Sequence, residues 1–310
     1  MELNFKIKDK SDKSLKLREA NLSTFKKKGF PNKREEDWKF TDLEKVLSEN
    51  FKELHNKQID NKKPSIQDLK ISHNSITLVN GKLESFDFKS ENLKDENYFK
   101  INEFHLDQHL NFANELKDNR MQNLNTALHE GGFYLNIKSD YKFKYPIVIY
   151  NYFTGVLKNK IINNSETITM SKNSDATIIE YLIDESEGNF FKNTFKYINL
   201  EENASLNYYF VNKNESNNFF YEFSKVELLK NSNFKKYLFS SGMKFGKFES
   251  NIKLNGMNSC GEVYSGLFLG INNHQEIKTN IQHLKPNCQS HQDIKNVLAS
   301  GSKGVFQGKI

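Results

Sequence analysis

Five residues in the last third of the chain have side chains suited to metal or sulfur chemistry: Cys260, His274, His283, Cys288 and His291. Thiolate and imidazole suit zinc and iron, but only where several converge on one point. The spacing argues against convergence. Cys288 and His291 are three apart, and strand neighbours at that interval point to opposite faces. His283 and Cys288 are five apart with Pro286 between them, so they form no local chelate. Cys260 and Cys288 are 28 residues apart, an interval that becomes meaningful below. No metal site is assigned; Cys288, Cys260 and His283 are the candidates, and none has a partner at ligand spacing. Gly301-Ser302-Lys303-Gly304 resembles a fragment of a phosphate loop, yet it lacks the full glycine–lysine pattern and precedes a strand, so it reads as a turn. No Gly-x-Ser-x-Gly nucleophile motif occurs.

The elements that must position these residues show a period. Small polar turns led by asparagine fall at Asn173, Asn203, Asn231, Asn258 and Asn287, at intervals of 30, 28, 27 and 29. Near-constant recurrence with β-rich segments between is the mark of a stacked repeat. Asparagine suits such corners because its short side chain tolerates left-handed backbone and bonds locally. Each period holds two strand patterns, for example Ala204–Val211 with Phe219–Leu229, and Phe234–Phe239 with Phe245–Leu254. Thr177–Ile183 alternates apolar and polar residues, as one buried face requires. A β-sandwich also yields short alternating strands, but it has no need of corners near every 28 residues. A parallel β-helix is the better reading. Within it Cys260 lies two residues past its turn asparagine and Cys288 only one, so a strict register turns the two thiols to opposite faces.

Before residue 130 the pattern is mixed. Residues 11–29 read as a helix ended by Gly29 and kept from continuing by Pro31. Thr41 or Asp42 can cap a second helix through Val46 and Leu47. Trp38, the only tryptophan, reads as a packing anchor. Ser75–Leu83 reads as a strand entering an Asn80-Gly81 hairpin. Residues 87–103 look like a polar loop, and Leu106–Leu116 and Met121–Leu128 have helical spacing. The expected organisation is a helical N-terminal region with a short hairpin over 1–130, then a β-helix core over 131–310, incomplete at its C-terminal end.

Composition narrows the function classes. Two cysteines in 310 residues argue against a disulfide framework. No signal peptide or membrane span is present, so a cytoplasmic protein is expected. The net charge of +6 is spread thinly over many lysines, and the best basic run, Lys26-Lys27-Lys28, sits in a helical pattern. A nucleic-acid module wants clustered cations among aromatic platforms, so none is expected.

Certain segments resemble a known family. Arg34-Glu35-Glu36-Asp37-Trp38-Lys39-Phe40-Thr41 resembles the "R-x-x-E-x-W-K-Y-T" signature of SufD proteins of iron–sulfur cluster assembly. Leu124-Asn125-Thr126-Ala127, Gly131-Gly132 and Tyr145-Pro146-Ile147 resemble that family's entry into its β-helix. Asn287–Lys295 with Gly304–Ile310 is similar to the "S-x-Q-x-x-K … A-V-F-x-G-x-I" segment of SufB and SufD proteins. The resemblance spans roughly residues 30–310. It implies a right-handed parallel β-helix and a non-catalytic scaffold that pairs with SufB-like and SufC-like proteins, the latter an ATPase. It also implies no stably bound cofactor, only a transient iron–sulfur cluster at a partner interface. A homodimer through the β-helix is a further expectation. Family members continue past this last segment to a Cys-Ser-His-Gly motif and a helical segment that docks SufC. The chain is therefore expected to be a fragment or truncated product, and the family's functional histidine is not carried onto His274, His283 or His291. A β-helix carbohydrate-active enzyme, with paired carboxylates in a groove, is the alternative.

Overall fold

The computed structural model describes residues 1–7, 14–59, 62–65, 69–91, 98–106, 119–213 and 216–310. A β-solenoid of about six turns dominates it. Strands β7 (Ile147–Val156), β9 (Asp175–Glu187), β11 (Ser205–Asn212), β13 (Asn233–Ser241), β15 (Cys260–Leu269) and β17 (Gln289–Leu298) stack in parallel as one sheet. Strands β8 (Lys160–Met170), β10 (Phe190–Leu200), β12 (Ser216–Leu228), β14 (Met243–Leu254), β16 (His274–His283) and β18 (Lys303–Lys309) stack as the other. Each turn thus gives one strand to each sheet, and the inward faces of the two sheets enclose the core.

The corners carry the period. Asn173, Asn203, Asn231, Asn258 and Asn287 all have φ between 55° and 60°, the left-handed region. The Asn203 side-chain amide donates to Asn173 Oδ1 at 2.8 Å, Asn231 to Asn203 at 2.9 Å, and Asn258 to Asn231 at 3.0 Å. The Asn173 amide donates to Asp140 Oδ1 at 2.7 Å, so a carboxylate heads the column. Asp140 also has positive φ. The asparagine corners are therefore stacked, as the repeat predicts.

Inward columns are mostly aliphatic. Ile168, Ile198, Val226, Ile252 and Ile281 share one register position on successive strands, and Met170, Leu200, Leu228 and Leu254 share another. The outer face of the β8–β18 sheet is covered by the N-terminal region. Helix α1 (Leu15–Lys28) ends at Gly29, whose φ of 67° lets its N–H reach Phe25 O at 2.7 Å. Helix α2 (Leu43–Asn50) is capped by Asp42, which accepts from the Lys45 N–H at 3.0 Å. Phe30 and Phe51 pack against Phe191 and Phe219 in the outward column Ile161–Phe191–Phe219–Phe245. Helix α3 (Arg120–Leu128) is fixed by Asn125, whose amide donates to Asn164 O and Asn193 O, each at 2.9 Å, bridging β8 and β10.

Three features extend or correct the expectations. Strand β3 (Asn74–Val79) forms the hairpin with β4 (Lys82–Asp87), with Asn80 and Gly81 both at positive φ, and β3 also pairs in parallel with β7. The stretch read as a polar loop holds strand β5 (Phe99–Glu103), antiparallel to β6 (Gly131–Ile137). Phe99 and Ile101 alternate into the core there, a pattern too short to outweigh the surrounding charge. The helix expected at Leu106–Leu116 falls, apart from Leu106, outside the described residues.

Candidate functional site

The cysteines and histidines do not converge. Cys260 pairs in register with Gln289, which sets Cys288 beside Ser259. Cys260 points outward, its thiol 3.5 Å from Glu262 Oε1. Burial, then the Glu262 carboxylate, pushes that thiol up to about 11. Cys288 packs against the solenoid core, 3.4 Å from Ser259 Oγ and 3.3 Å from Gly256 O. His283 bonds Ser290 Oγ at 2.9 Å, and His291 lies 5.5 Å from the Tyr264 ring. Among the described residues no three His, Cys, Asp or Glu side chains form a group able to hold a metal ion.

Titratable groups do converge in the solenoid interior, at positions not singled out in the sequence. Lys196 lies among Glu166 (3.5 Å), Glu180 and Glu222 (2.8 Å), and donates to Tyr208 OH at 3.0 Å. Lys236 bonds the other Glu222 oxygen at 2.9 Å. Burial opposes the charge on Lys196, but the three carboxylates outweigh it and hold this lysine well above its ordinary value. Burial likewise opposes ionisation of Glu222, and Lys196 with Lys236 overcomes it, so its pKa falls far below the carboxylate range. Glu166 goes the other way, raised by burial. Strand parity held the signal: Glu180 lies between Ile178 and Leu182 on the inward side of β9.

A second network fastens the Arg34–Thr41 segment to the outer face of β14, β16 and β18. Trp38 lies 5.4 Å from the Tyr221 ring, and Lys247 Nζ sits 4.5 Å from the Trp38 ring centroid, a cation–π contact. Lys247 donates to Asp37 O at 3.0 Å and pairs with Glu276 at 2.8 Å. Lys278 bridges Asp37 at 2.5 Å and Glu249 at 3.3 Å. Thr41 donates to Glu276, while His274 Nε2 is 2.8 Å from the same carboxylate. Burial raises the Glu276 pKa less than its His274, Lys247 and Thr41 partners lower it, leaving it at about 2. Lys303 donates to Phe40 O from β18. Trp38 is thus the packing anchor the sequence predicts, and Thr41 turns away from α2 to hold the sheet. Gly301 has φ of 67° and lies in the turn that leads into β18.

The outer face of the β7–β17 sheet carries a tyrosine ladder. Tyr209, Tyr237 and Tyr264 stack at 4.5 and 5.0 Å with interplanar angles of 7° and 11°. Both faces of Tyr237 are occupied by its neighbours, while Tyr209 and Tyr264 each give one face to the stack. A sugar or base needs a free ring face to stack on. Beyond them Phe239, Phe268 and Val297 are exposed.

These features define a parallel β-solenoid flanked by a helical cover, with an ion-paired cluster around Lys196 in its interior. Residues 153–310 match the SUF system FeS cluster assembly, SufBD core domain, and residues 3–149 match the SufBD protein N-terminal region. The chain belongs to the SufBD family and so has a role in SUF iron–sulfur cluster assembly. No curated protein matches it. Among the described residues no helix is long and apolar enough to cross a membrane.

Proposed function

We propose that the chain is a SufD-like, non-catalytic scaffold subunit, cytoplasmic, that pairs with SufB-like and SufC-like proteins. The observation that carries this reading is the docking of the tryptophan signature. The segment resembling the SufD motif is built into the molecule through Asp37, Trp38 and Thr41, which contact β14 and β16. Choice of SufD over SufB rests on that signature. A nascent iron–sulfur cluster would be cargo held transiently at a partner interface. Carboxylates ion-paired to lysines, as Glu222 and Glu276 are, suit structure better than acid–base catalysis, which wants a pKa near working pH. The test is co-expression with SufB and SufC followed by size-exclusion chromatography. A stable complex with one copy of this chain per SufB supports the reading. A chain that replaces SufB in a complex with SufD, or that elutes alone with both present, overturns it.

A further inference from the structure

On the outer face of the β7–β17 sheet, columns of apolar side chains run from covered rungs onto bare ones. Val148 and Ile179 share a register position with Tyr209, Tyr237 and Tyr264. Tyr150 and Tyr181 share the next outward position with Val211 and Phe239.

The chain covers the first of these rungs itself. Lys62 O accepts from Thr154 Oγ1 at 2.8 Å, and the Lys62 ammonium pairs with Glu187 at 2.7 Å. The Ser65 N–H donates to Glu185 at 3.1 Å. Leu69 packs on the cluster of Val79, Val148, Tyr150, Tyr152 and Ile183, and His73 bonds the Tyr150 hydroxyl at 2.9 Å. Residues 62–65 and 69–73 form neither helix nor strand. The cover is therefore plain chain, held by an apolar side chain on the aromatic face and by strand side chains that bond its backbone.

The later rungs of the same face are bare. Phe239 is 45% exposed, Phe268 58% and Val297 59%. Gly266 pairs with Phe239, and a Cβ added to it would lie 3.4 Å from the Phe239 ring, so the missing side chain leaves a notch between Phe239 and Phe268. Beside the notch opens a cavity of about 770 Å³ walled by Phe268, Ile271, Val297 and Leu298. Its polar side chains are Asn217, Ser241 and Asn273, and among the described residues no charged one lines it. The charges at the margin are already paired, Lys235 with Glu262 at 3.2 Å and Lys295 with Asp293 at 2.9 Å.

A contiguous exposed apolar surface rimmed by neutral polar groups marks an interaction site. The covered half of the face indicates what it takes. Helices α1, α2 and α3 lie against the other sheet, whereas this sheet receives chain without helix. Extended chain turns alternate side chains to one side, which suits rows of apolar pockets. The bare half has no free carboxylate to receive a lysine as Glu187 receives Lys62, so it selects an uncharged segment. We infer that the surface around Phe239, Gly266, Phe268 and Val297 docks an extended, uncharged segment of another protein, with apolar side chains at alternate positions. It would lie as the cover on β7 and β9 does.

The experiment uses the full chain and a fluorescent peptide that alternates leucine and threonine over the length of residues 62–73. A peptide of the same composition with leucines at helical spacing is the control, and binding is read by anisotropy. The alternating peptide is expected to bind and the control to bind at least tenfold more weakly. Phe268→Ser and Val297→Ser should each weaken binding about tenfold or more, as loss of a central apolar contact does. Both side chains are more than half exposed, so the variants should keep the wild-type unfolding midpoint. Met257→Ser, exposed on the asparagine corner, should bind as wild type does. Absence of binding, equal or tighter binding of the helical peptide, or unchanged binding by the Phe268→Ser and Val297→Ser variants would each overturn the assignment. So would a dimer in sedimentation velocity that Phe268→Ser dissociates, because a second copy would then be the occupant.

Discussion

The Asn203 side-chain amide donates to Asn173 Oδ1 across 2.8 Å, from one left-handed corner to the corner below it. The same bond links Asn231 to Asn203 and Asn258 to Asn231, all running in one direction toward the Asp140 carboxylate. Each asparagine therefore has two tasks. It accepts positive φ at modest strain, and it ties its rung to the next.

Substitution can separate the two tasks. Asn203→Val forces a β-branched residue into left-handed backbone and removes two hydrogen bonds, so a loss of about 1–2 kcal/mol is expected. Asn203→Gly keeps the backbone comfortable and removes only the ladder, so its loss should be smaller. Denaturant midpoints for the two variants check this. Equal losses would mean that the corner conformation is not what asparagine supplies.

The interior charge cluster depends on Lys196. Lys196→Met leaves Glu166, Glu180 and Glu222 buried together, with Lys236 paired to Glu222 and the buried Lys192 acting on Glu166 and Glu180 from farther off. Breaking a buried ion pair on one side costs about 3–5 kcal/mol, because the partner charge stays buried. Lys196→Met combined with Glu180→Gln should recover most of that loss. Equilibrium unfolding of the single and double variants reads the difference, and equal stability of the two would show that Glu180 and Lys196 are not coupled.

Much of the solenoid was legible because one residue type marks one corner. The opposite corner was not, because it alternates types: Asn159, Gly188, Gly242, Asn272 and Gly301 all have positive φ there. No single-letter period survives that mixture. Trp38 was legible as an anchor, yet its partners Tyr221 and Lys247 lie far along the chain and carry no local signal. The buried lysines and glutamates escaped for a related reason. Alternation fixes which side a residue faces, but a charge on the inward side becomes meaningful only once Glu180 and Lys196, on different sheets, are known to meet. The two thiols are the contrary case, since register alone placed them on opposite faces.

Acid should loosen the join between the Arg34–Thr41 segment and the solenoid. Glu276 titrates at about 2 in the folded chain against 4.5 ordinarily. A depressed folded pKa gives stability that is present above the unfolded value and lost as pH falls through the folded one. The window is therefore from about pH 5 down to about pH 2, and the contribution at neutral pH is on the order of 3 kcal/mol. Glu180 and Glu222, also depressed, act in the same direction. Glu166 and Glu249, raised by burial, act in the opposite sense and penalise the fold as pH rises above 4.5. Thermal midpoints across pH 2–7 should fall toward acid, with a shallower slope in Glu276→Gln. An identical slope in that variant would remove Glu276 from the account.

The two cysteines should behave as separate and unequal thiols. Cys260 is held at about 11, so at pH 8 it carries about a hundredfold less thiolate than an ordinary cysteine, and alkylation should slow in proportion. Glu262→Gln removes the neighbouring negative charge and the acceptor of the thiol proton, so labelling of Cys260 should speed up. Cys288 sits on the opposite face against Ser259 and Gly256, so mild oxidation should form no intrachain disulfide. Mass spectrometry after timed alkylation and after oxidation reads both outcomes. Rapid labelling of Cys260 at neutral pH, or a Cys260–Cys288 crosslink in the folded chain, would contradict the register that sets the two thiols apart.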